Sequence, residues 1–275
     1  MGISSCVGTS AVHLLYDEAS RRRKAHKIST ILKEYLGRDL SALHALDVGC
    51  SSGWITYSLR DQFAGLVGID IDREGLLHAT RLGGGESTPR FVLGDGGRLP
   101  FAREQFDAAI CAQVYEHVPH QQALADEVWR VLKPGGVCFF SGPNRLAVME
   151  EHYWLPFLSW LPRPLAHAYV RFTRRGREYD VAARTIWTMR RLWSRFEIRD
   201  VTIEMIRHPQ RYSVTEQVQR FGALQRLPAS VLKAMAWLIP NYNWVLRKPD
   251  YRAPSLCLKY PNKTASGGRT SPRFG

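Results

Sequence analysis

The stretch Ala45-Leu46-Asp47-Val48-Gly49-Cys50-Ser51-Ser52-Gly53-Trp54 constrains the fold of this chain more than any other. Its apolar first half has the make-up of a buried central strand. Gly49 and Gly53 open a tight turn into the helix suggested by Trp54-Ile55-Thr56-Tyr57-Ser58-Leu59. A strand that turns through glycines into a helix N-terminus exposes backbone N–H groups over which the polar end of a cofactor can lie. Read as G-x-G-x-x-G, the loop puts Ser51 and Trp54 where the second and third glycines belong and loses two of three contacts. Read as G-x-S-x-G, it makes Ser51 the nucleophile of a serine hydrolase. Such an elbow follows several strands, however, and only one fits before Gly49.

Two acids downstream favour a third reading. Leu66-Val67-Gly68-Ile69-Asp70 is a short apolar strand ending in a carboxylate about twenty positions past the glycines, where an acid can accept both hydroxyls of an adenosine ribose. Phe91-Val92-Leu93-Gly94-Asp95 is a second apolar run ending in an acid, followed by Leu99-Pro100-Phe101. The series continues through Gln105-Phe106-Asp107-Ala108-Ala109-Ile110 and Val114-Tyr115-Glu116-His117-Val118 to Arg130-Val131-Leu132-Lys133-Pro134-Gly135-Gly136. In this order and spacing the segments resemble the motifs of class I S-adenosylmethionine (SAM) methyltransferases of the methyltransferase type 11 family. The resemblance covers residues 44 to 144, with a weaker continuation to about 249. Many members carry glycine where this chain has Ser51, which narrows the loop.

The resemblance implies a Rossmann-like α/β fold, a seven-stranded and mostly parallel sheet with helices on both faces. It implies SAM as cofactor, with Asp47, Gly49 and Gly53 around its methionine part. Asp70 would take the ribose, Ile71 would pack on the adenine, Asp95 with Gly96 would reach the adenine edge, and Gln113 would line the methyl-donating face. If the acceptor is a hydroxyl, a base helps to remove its proton, and His117 and His152 are the candidates. A structural or capping role is the plainer reading of each histidine, as it is of Asp72.

Charge divides the chain. Residues 1–144 hold 15 Lys and Arg against 16 Asp and Glu, while residues 145–275 hold 23 against 9, so the net +13 lies in the second half. A basic second half suggests an anionic partner, whether phosphorylated substrate, membrane surface or RNA, beside the plain reading of a solvated surface. The five cysteines are scattered with no C-x-x-C pair and no clustered His, so a reducing compartment and no metal site are expected. No apolar run approaches the length of a membrane span, and the N-terminus lacks a signal-peptide pattern.

In order, residues 1–43 form an N-terminal segment with the basic run Arg21-Arg22-Arg23-Lys24, read as a solvated face, and a helix patterned by Ile28, Ile31, Leu32, Tyr35 and Leu36 at the rim of the cofactor pocket. The methyltransferase domain occupies 44–249. Strands and helices alternate to 144, with a helix through Leu124, Val128, Val131 and Leu132 stopped by Pro134-Gly135-Gly136. One acceptor-side insertion, about 145–182, is dense in aromatics between Tyr153 and Pro162 and flanked by arginines. It reads either as irregular core or as a lip that meets an apolar acceptor or a headgroup layer. A helix through Ile186, Met189 and Trp193 and a strand over 197–203 follow. A second insertion, about 205–240, carries a helix striped by Val214, Val218, Phe221 and Leu224 and a short apolar helix over 231–239. Asn243 to Pro249 closes the sheet, and 250–275 reads as a disordered tail.

The acceptor these features suggest is a small or lipid-linked molecule, a glycan intermediate or quinone-like ring methylated on oxygen. RNA is the runner-up, and a noncatalytic binding protein on the same fold is a further alternative. The expected location is the cytoplasm, with contact to the inner face of the membrane allowed by the insertions.

Overall fold

A computed structural model describes residues 17–83, 88–219 and 227–251. Helix α1 (Glu18–Leu36) begins where the Asp17 carboxylate accepts the Ser20 N–H at 3.3 Å, and it ends at Gly37 in the left-handed region, φ +63°. There follow β1 (His44–Val48), α2 (Trp54–Leu59), β2 (Gly65–Asp70), α3 (Arg73–Ala79), β3 (Arg90–Leu93), β4 (Phe106–Ala112), α4 (Gln121–Val131) and β5 (Leu132–Pro143). A two-stranded hairpin, β6 (Met149–Glu150) with β7 (Leu155–Pro156), leads into α5 (Arg163–Phe172). The chain closes through α6 (Ile186–Leu192), β8 (Glu197–Asp200), α7 (Thr202–Arg207), α8 (Thr215–Gln219), α9 (Ala229–Ala234) and β9 (Asn241–Arg247).

Seven strands form one sheet in the order β3-β2-β1-β4-β5-β9-β8. Neighbours from β3 to β5 are parallel, and β9 runs antiparallel to both β5 and β8. This is the Rossmann-like, mostly parallel sheet that the motif order implied. Side chains alternate across it with period two, so that Cys138 and Phe140 join one core while Val137 and Phe139 join the other. The first core gathers Trp129, Trp193 and Trp244 under α4 and α6; the second gathers Ile28, Ile31 and Leu32 of α1 with Met205 and Ile206 of α7. Both faces are covered, as a parallel sheet requires.

Several boundaries differ from the pattern-based reading. Helix α4 gives way to strand already at Leu132, two residues before Pro134, where the backbone turns extended. The strand expected over 197–203 stops at Asp200, whose carboxylate accepts the Thr202 N–H at 3.0 Å and starts α7. The apolar helix expected over 231–239 is instead α9 followed by a single 3₁₀ turn at Ala236–Leu238. Phe221, Leu224 and nearly all of the tail over 250–275 lie outside the described residues.

The aromatic insertion divides between a core of its own and an exposed surface. Tyr153, Leu155, Leu158, Ala166, Val170, Tyr179 and Val181 form a small core of their own, while Trp154, Phe157, Trp160, Leu165 and Phe172 stay exposed.

Candidate functional site

The order 3-2-1-4-5 reverses direction between β1 and β4, and in open α/β sheets ligands bind outside the carboxyl ends of the strands at such a switch point. A cavity of about 600 Å³ opens there. Gly49, Ser51, Asp70, Ile71, Asp95 and Gly96 line one side of it. Gln113, His117, His152, Asn241, Asn243 and the α1 side chains Arg21, Lys24 and Lys27 line the other.

The glycine loop is shaped by crowding. Gly49 and Gly53 have φ of +74° and +78°. A Cβ on Gly49 would stand 2.4 Å from Val114 Cγ2, and one on Gly53 would stand 2.4 Å from Ala79 Cβ. Gly53 therefore serves the close approach of α3 and is absent from the cavity lining. The loop amides are largely committed inward: the Gly49 and Cys50 N–H groups donate to Ile69 O at 2.8 and 3.1 Å, and the Ser51 N–H donates to Asp70 Oδ2 at 2.7 Å. The backbone cradle expected from the sequence is thus mostly spent on holding β2 and its acid.

Asp70 also accepts the Asp72 N–H on Oδ1 at 2.8 Å. Each carboxylate oxygen has a second lone pair, so both can still accept from a ligand diol. Burial raises the Asp70 carboxyl above its ordinary range, and the backbone amides oppose that rise. Ile71 beside it is 61% exposed, an apolar face open to the cavity. Asp95 accepts the Gly97 N–H at 2.8 Å, which fixes the turn that presents Gly96. Asp72 accepts the Glu74 N–H at 3.1 Å as the cap of α3, its plainer reading. Asp47 lies behind the loop, buried and outside the lining, where Thr56 Oγ1 donates to it at 2.6 Å. Burial lifts its carboxyl to about 7.

Opposite this wall, Gln113 sits in the left-handed region at φ +61° and donates from Nε2 to Asn241 Oδ1 at 3.2 Å. Asn241 in turn donates to Glu151. His117, in the 3₁₀ turn Tyr115–His117, and His152, in the first insertion, come together with ring centroids 5.4 Å apart and nearly perpendicular planes. Burial works against a charge on His152, yet its hydrogen bond to Glu150 (Nδ1 to Oε1, 2.9 Å) and the nearby Glu116 and Glu151 prevail, raising it to about 9. His117, itself exposed at the cavity surface, moves the other way, lowered by partial desolvation and then by the His152 charge. The two rings are thus pushed in opposite directions, His152 toward the charged form by its carboxylates and His117 away from it by its charged neighbour. Glu116 is 1% exposed, its oxygens have no hydrogen-bond partner, and His152 Nε2 stands 3.7 Å from Oε1. Burial lifts it to about 7. Glu116, His117 and His152 each place one oxygen or nitrogen within 4.8 Å of the others, close enough to share a cation.

The basic start of α1 corrects the solvated-face expectation in part. Arg22 and Arg23 do face outward, paired with Glu18 at 2.6 Å and Glu216 at 3.6 Å. Arg21 and Lys24, with Lys27 three residues on, line the cavity. Burial, then the charges of Arg21 and Lys27, bring Lys24 down to about 7, and burial brings Lys27 to about 8. The spacing i, i+3, i+6 beside the apolar stripe of α1 was the available signal, since such residues share a face. No comparable signal pointed to Asn241 or Asn243, which reach the site only through sheet pairing.

A switch-point cavity with an acid at the end of β2 and an open apolar face beside it, on this strand order, defines a class I methyltransferase. The Methyltransferase domain family matches residues 46–140. The ubiquinone biosynthesis O-methyltransferase of Chromobacterium violaceum is 30% identical over 175 residues, which cover 59% of this chain and 72% of that protein. The protein of the same description from Xylella fastidiosa is 32% identical over 170 residues, 58% of this chain and 67% of that one. Among solved structures, an S-adenosylmethionine-dependent methyltransferase from Mesorhizobium loti superposes with a TM-score of 0.52 at 16% identity, covering 79% and 96% of the two chains. The chain belongs to the methyltransferase type 11 family of SAM-dependent enzymes, and SAM is its cofactor.

Proposed function

We propose that residues 44–249 form the methyltransferase domain and that it methylates a hydroxyl oxygen of a small ring acceptor of quinone type. The observation that carries this reading is the juxtaposition, across one cavity, of the Asp70 wall and the edge-to-face pair of His117 and His152. The names of the relatives support the acceptor class.

SAM supplies a methyl group already activated for displacement, so the protein's task is alignment and exclusion of water. Asp70 suits the ribose diol, Ile71 the adenine face and Asp95 with Gly96 its edge. Gly49 and Gln113 border the methionine part, while Asp47 and Gly53 support the loop from behind. Arg21, within electrostatic reach of Asp47, faces the same end. His117 receives the acceptor's hydroxyl proton. His152, fixed by Glu150, stays protonated and keeps the His117 lone pair free.

The exposed residues of the first insertion supply a surface for a lipid-linked acceptor. Trp154, Phe157, Trp160, Leu165 and Phe172 lie exposed beside Arg163, Arg171 and Arg174, an apolar and cationic mixture suited to anionic headgroups. Among the described residues no helix is long and apolar enough to cross a membrane.

Incubation with methyl-labelled SAM and, separately, catechol-type ring acceptors, lipid extract and total RNA tests the reading. Label expected in the ring or lipid fraction, as a methyl ether by mass spectrometry, supports it. Label confined to RNA transfers the assignment to the runner-up.

A further inference from the structure

The inward cations of α1 are more than methyl transfer itself requires. Among the described residues, neither Lys24 nor Lys27 forms an ion pair with a carboxylate, whereas the outward Arg22 and Arg23 both do. Lys27 Nζ donates to Asn243 Oδ1 at 3.3 Å and stands 5.7 Å from the centre of the Phe139 ring. Both neighbours belong to the β5–β9 side of the sheet, across β4 from the strands that carry Gly49 and Asp70. Lys24 senses Glu151 and Glu116 on that same side. Glu151, the acid that acts on both lysines, is already engaged by Asn241.

Lys24 and Lys27, each only partly exposed, line one cavity, where an anion can answer both charges. Burial weakens the hold of both on their protons, repulsion from Arg21 and Lys27 adds to this at Lys24, and an anion between them would restore both charges. Asn241 and Asn243 add neutral hydrogen-bonding groups on the same wall.

We propose that Lys24 and Lys27 form a subsite for an anionic oxygen on the acceptor, either a carboxylate carried by its ring or an ionised ring hydroxyl. The substrate class is then a small acidic aromatic or enol. This inference rests on the methyltransferase reading above.

The test is calorimetric titration of the protein saturated with S-adenosylhomocysteine, using three probes: 3,4-dihydroxybenzoate, 4-nitrocatechol and the neutral 3,4-dihydroxybenzamide. Wild type is expected to prefer at least one anionic probe over the amide by about tenfold or more, the scale of a charge-assisted contact. In Lys24→Met with Lys27→Met the preference should vanish, and in Lys24→Arg with Lys27→Arg it should be kept. Preference for the benzoate identifies a carried carboxylate; preference for nitrocatechol, with the absorbance of its anion in the bound state, identifies the ring hydroxyl. Three results overturn the proposal: no anion preference in wild type, a preference that survives in the methionine variant, or loss of S-adenosylhomocysteine affinity along with it. The last would give the lysines to the cofactor's own carboxylate. Failure of wild type to bind S-adenosylhomocysteine at all is a separate result and strikes the methyltransferase reading instead.

Discussion

The two walls of the cavity are built by different means. The wall beside β1 and β2 is backbone, glycine and short side chains locked by local bonds: Asp70 takes the amides of Ser51 and Asp72, and Asp95 takes that of Gly97. The wall beside β4, β5 and β9 is long and ionisable, assembled from Lys27 and Asn243, 216 positions apart, and from His117 with His152 of the insertion. On the reading proposed above, the first, rigid wall serves the cofactor and the second, adjustable one the acceptor. One fold can thus keep its cofactor while its acceptor varies.

The largest effect should come from crowding the rigid wall. Gly53→Val combines a φ of +78° with a Cβ 2.4 Å from Ala79 Cβ. It should cost about 3 kcal/mol or more of stability by denaturant titration. A loss below about 1 kcal/mol would mean that this wall yields and that the contrast drawn here is false.

On the adjustable wall the effect should be kinetic. His117→Ala should lower kcat about 10²-fold or more, the usual scale of general-base loss, with S-adenosylhomocysteine affinity and melting temperature little changed. An equal fall for His152→Ala with no change in its pH profile would erase the distinction between the neutral and the charged ring.

Asp47 sharpens the comparison through pH. Its carboxyl, raised to about 7 in the folded protein from 3.8, makes the native state the tighter proton binder between those values. Stability should therefore fall as pH rises from about 4 to about 7, and Asp47→Asn should remove part of that fall, on the order of 1–3 kcal/mol. Melting curves across that range check it, and identical slopes would show that Asp47 reaches water.

The smallest effect on the fold is expected at the lip. Leu165→Ser with Phe172→Ser, at residues 58% and 88% exposed, should shift stability by no more than about 0.5 kcal/mol. Sedimentation with anionic phospholipid vesicles should drop several-fold. Unchanged sedimentation would remove the membrane from the reading.

What the sequence showed follows the same division. Strand ends, the glycine loop and the acid that ends β2 lie within short stretches whose spacing is fixed by the βαβ unit, so the positions of Gly49, Asp70, Asp95 and Gln113 along the cavity are legible in the sequence. Asp47 and Gly53 belong to the same loop, but the structure puts them behind it, since spacing does not tell support from contact. Lys24 reads as solvated in the sequence, since a run of four basic residues gives no sign of which member faces inward until the helix phase is set by Ile28 and Leu32. His152 is legible as a candidate, yet the carboxylates beside it come from two places, Glu150 from the hairpin and Glu116 from the turn after β4. The inward turn of the loop amides had no sequence signal.

The most direct test of the central claim is calorimetric binding of S-adenosylhomocysteine to wild type and to Asp70→Ala. The account expects micromolar binding to wild type and loss of it in a variant that remains folded. A folded wild type that does not bind, or an Asp70→Ala protein that binds as wild type does, would contradict the assignment of the β1–β2 wall to the cofactor.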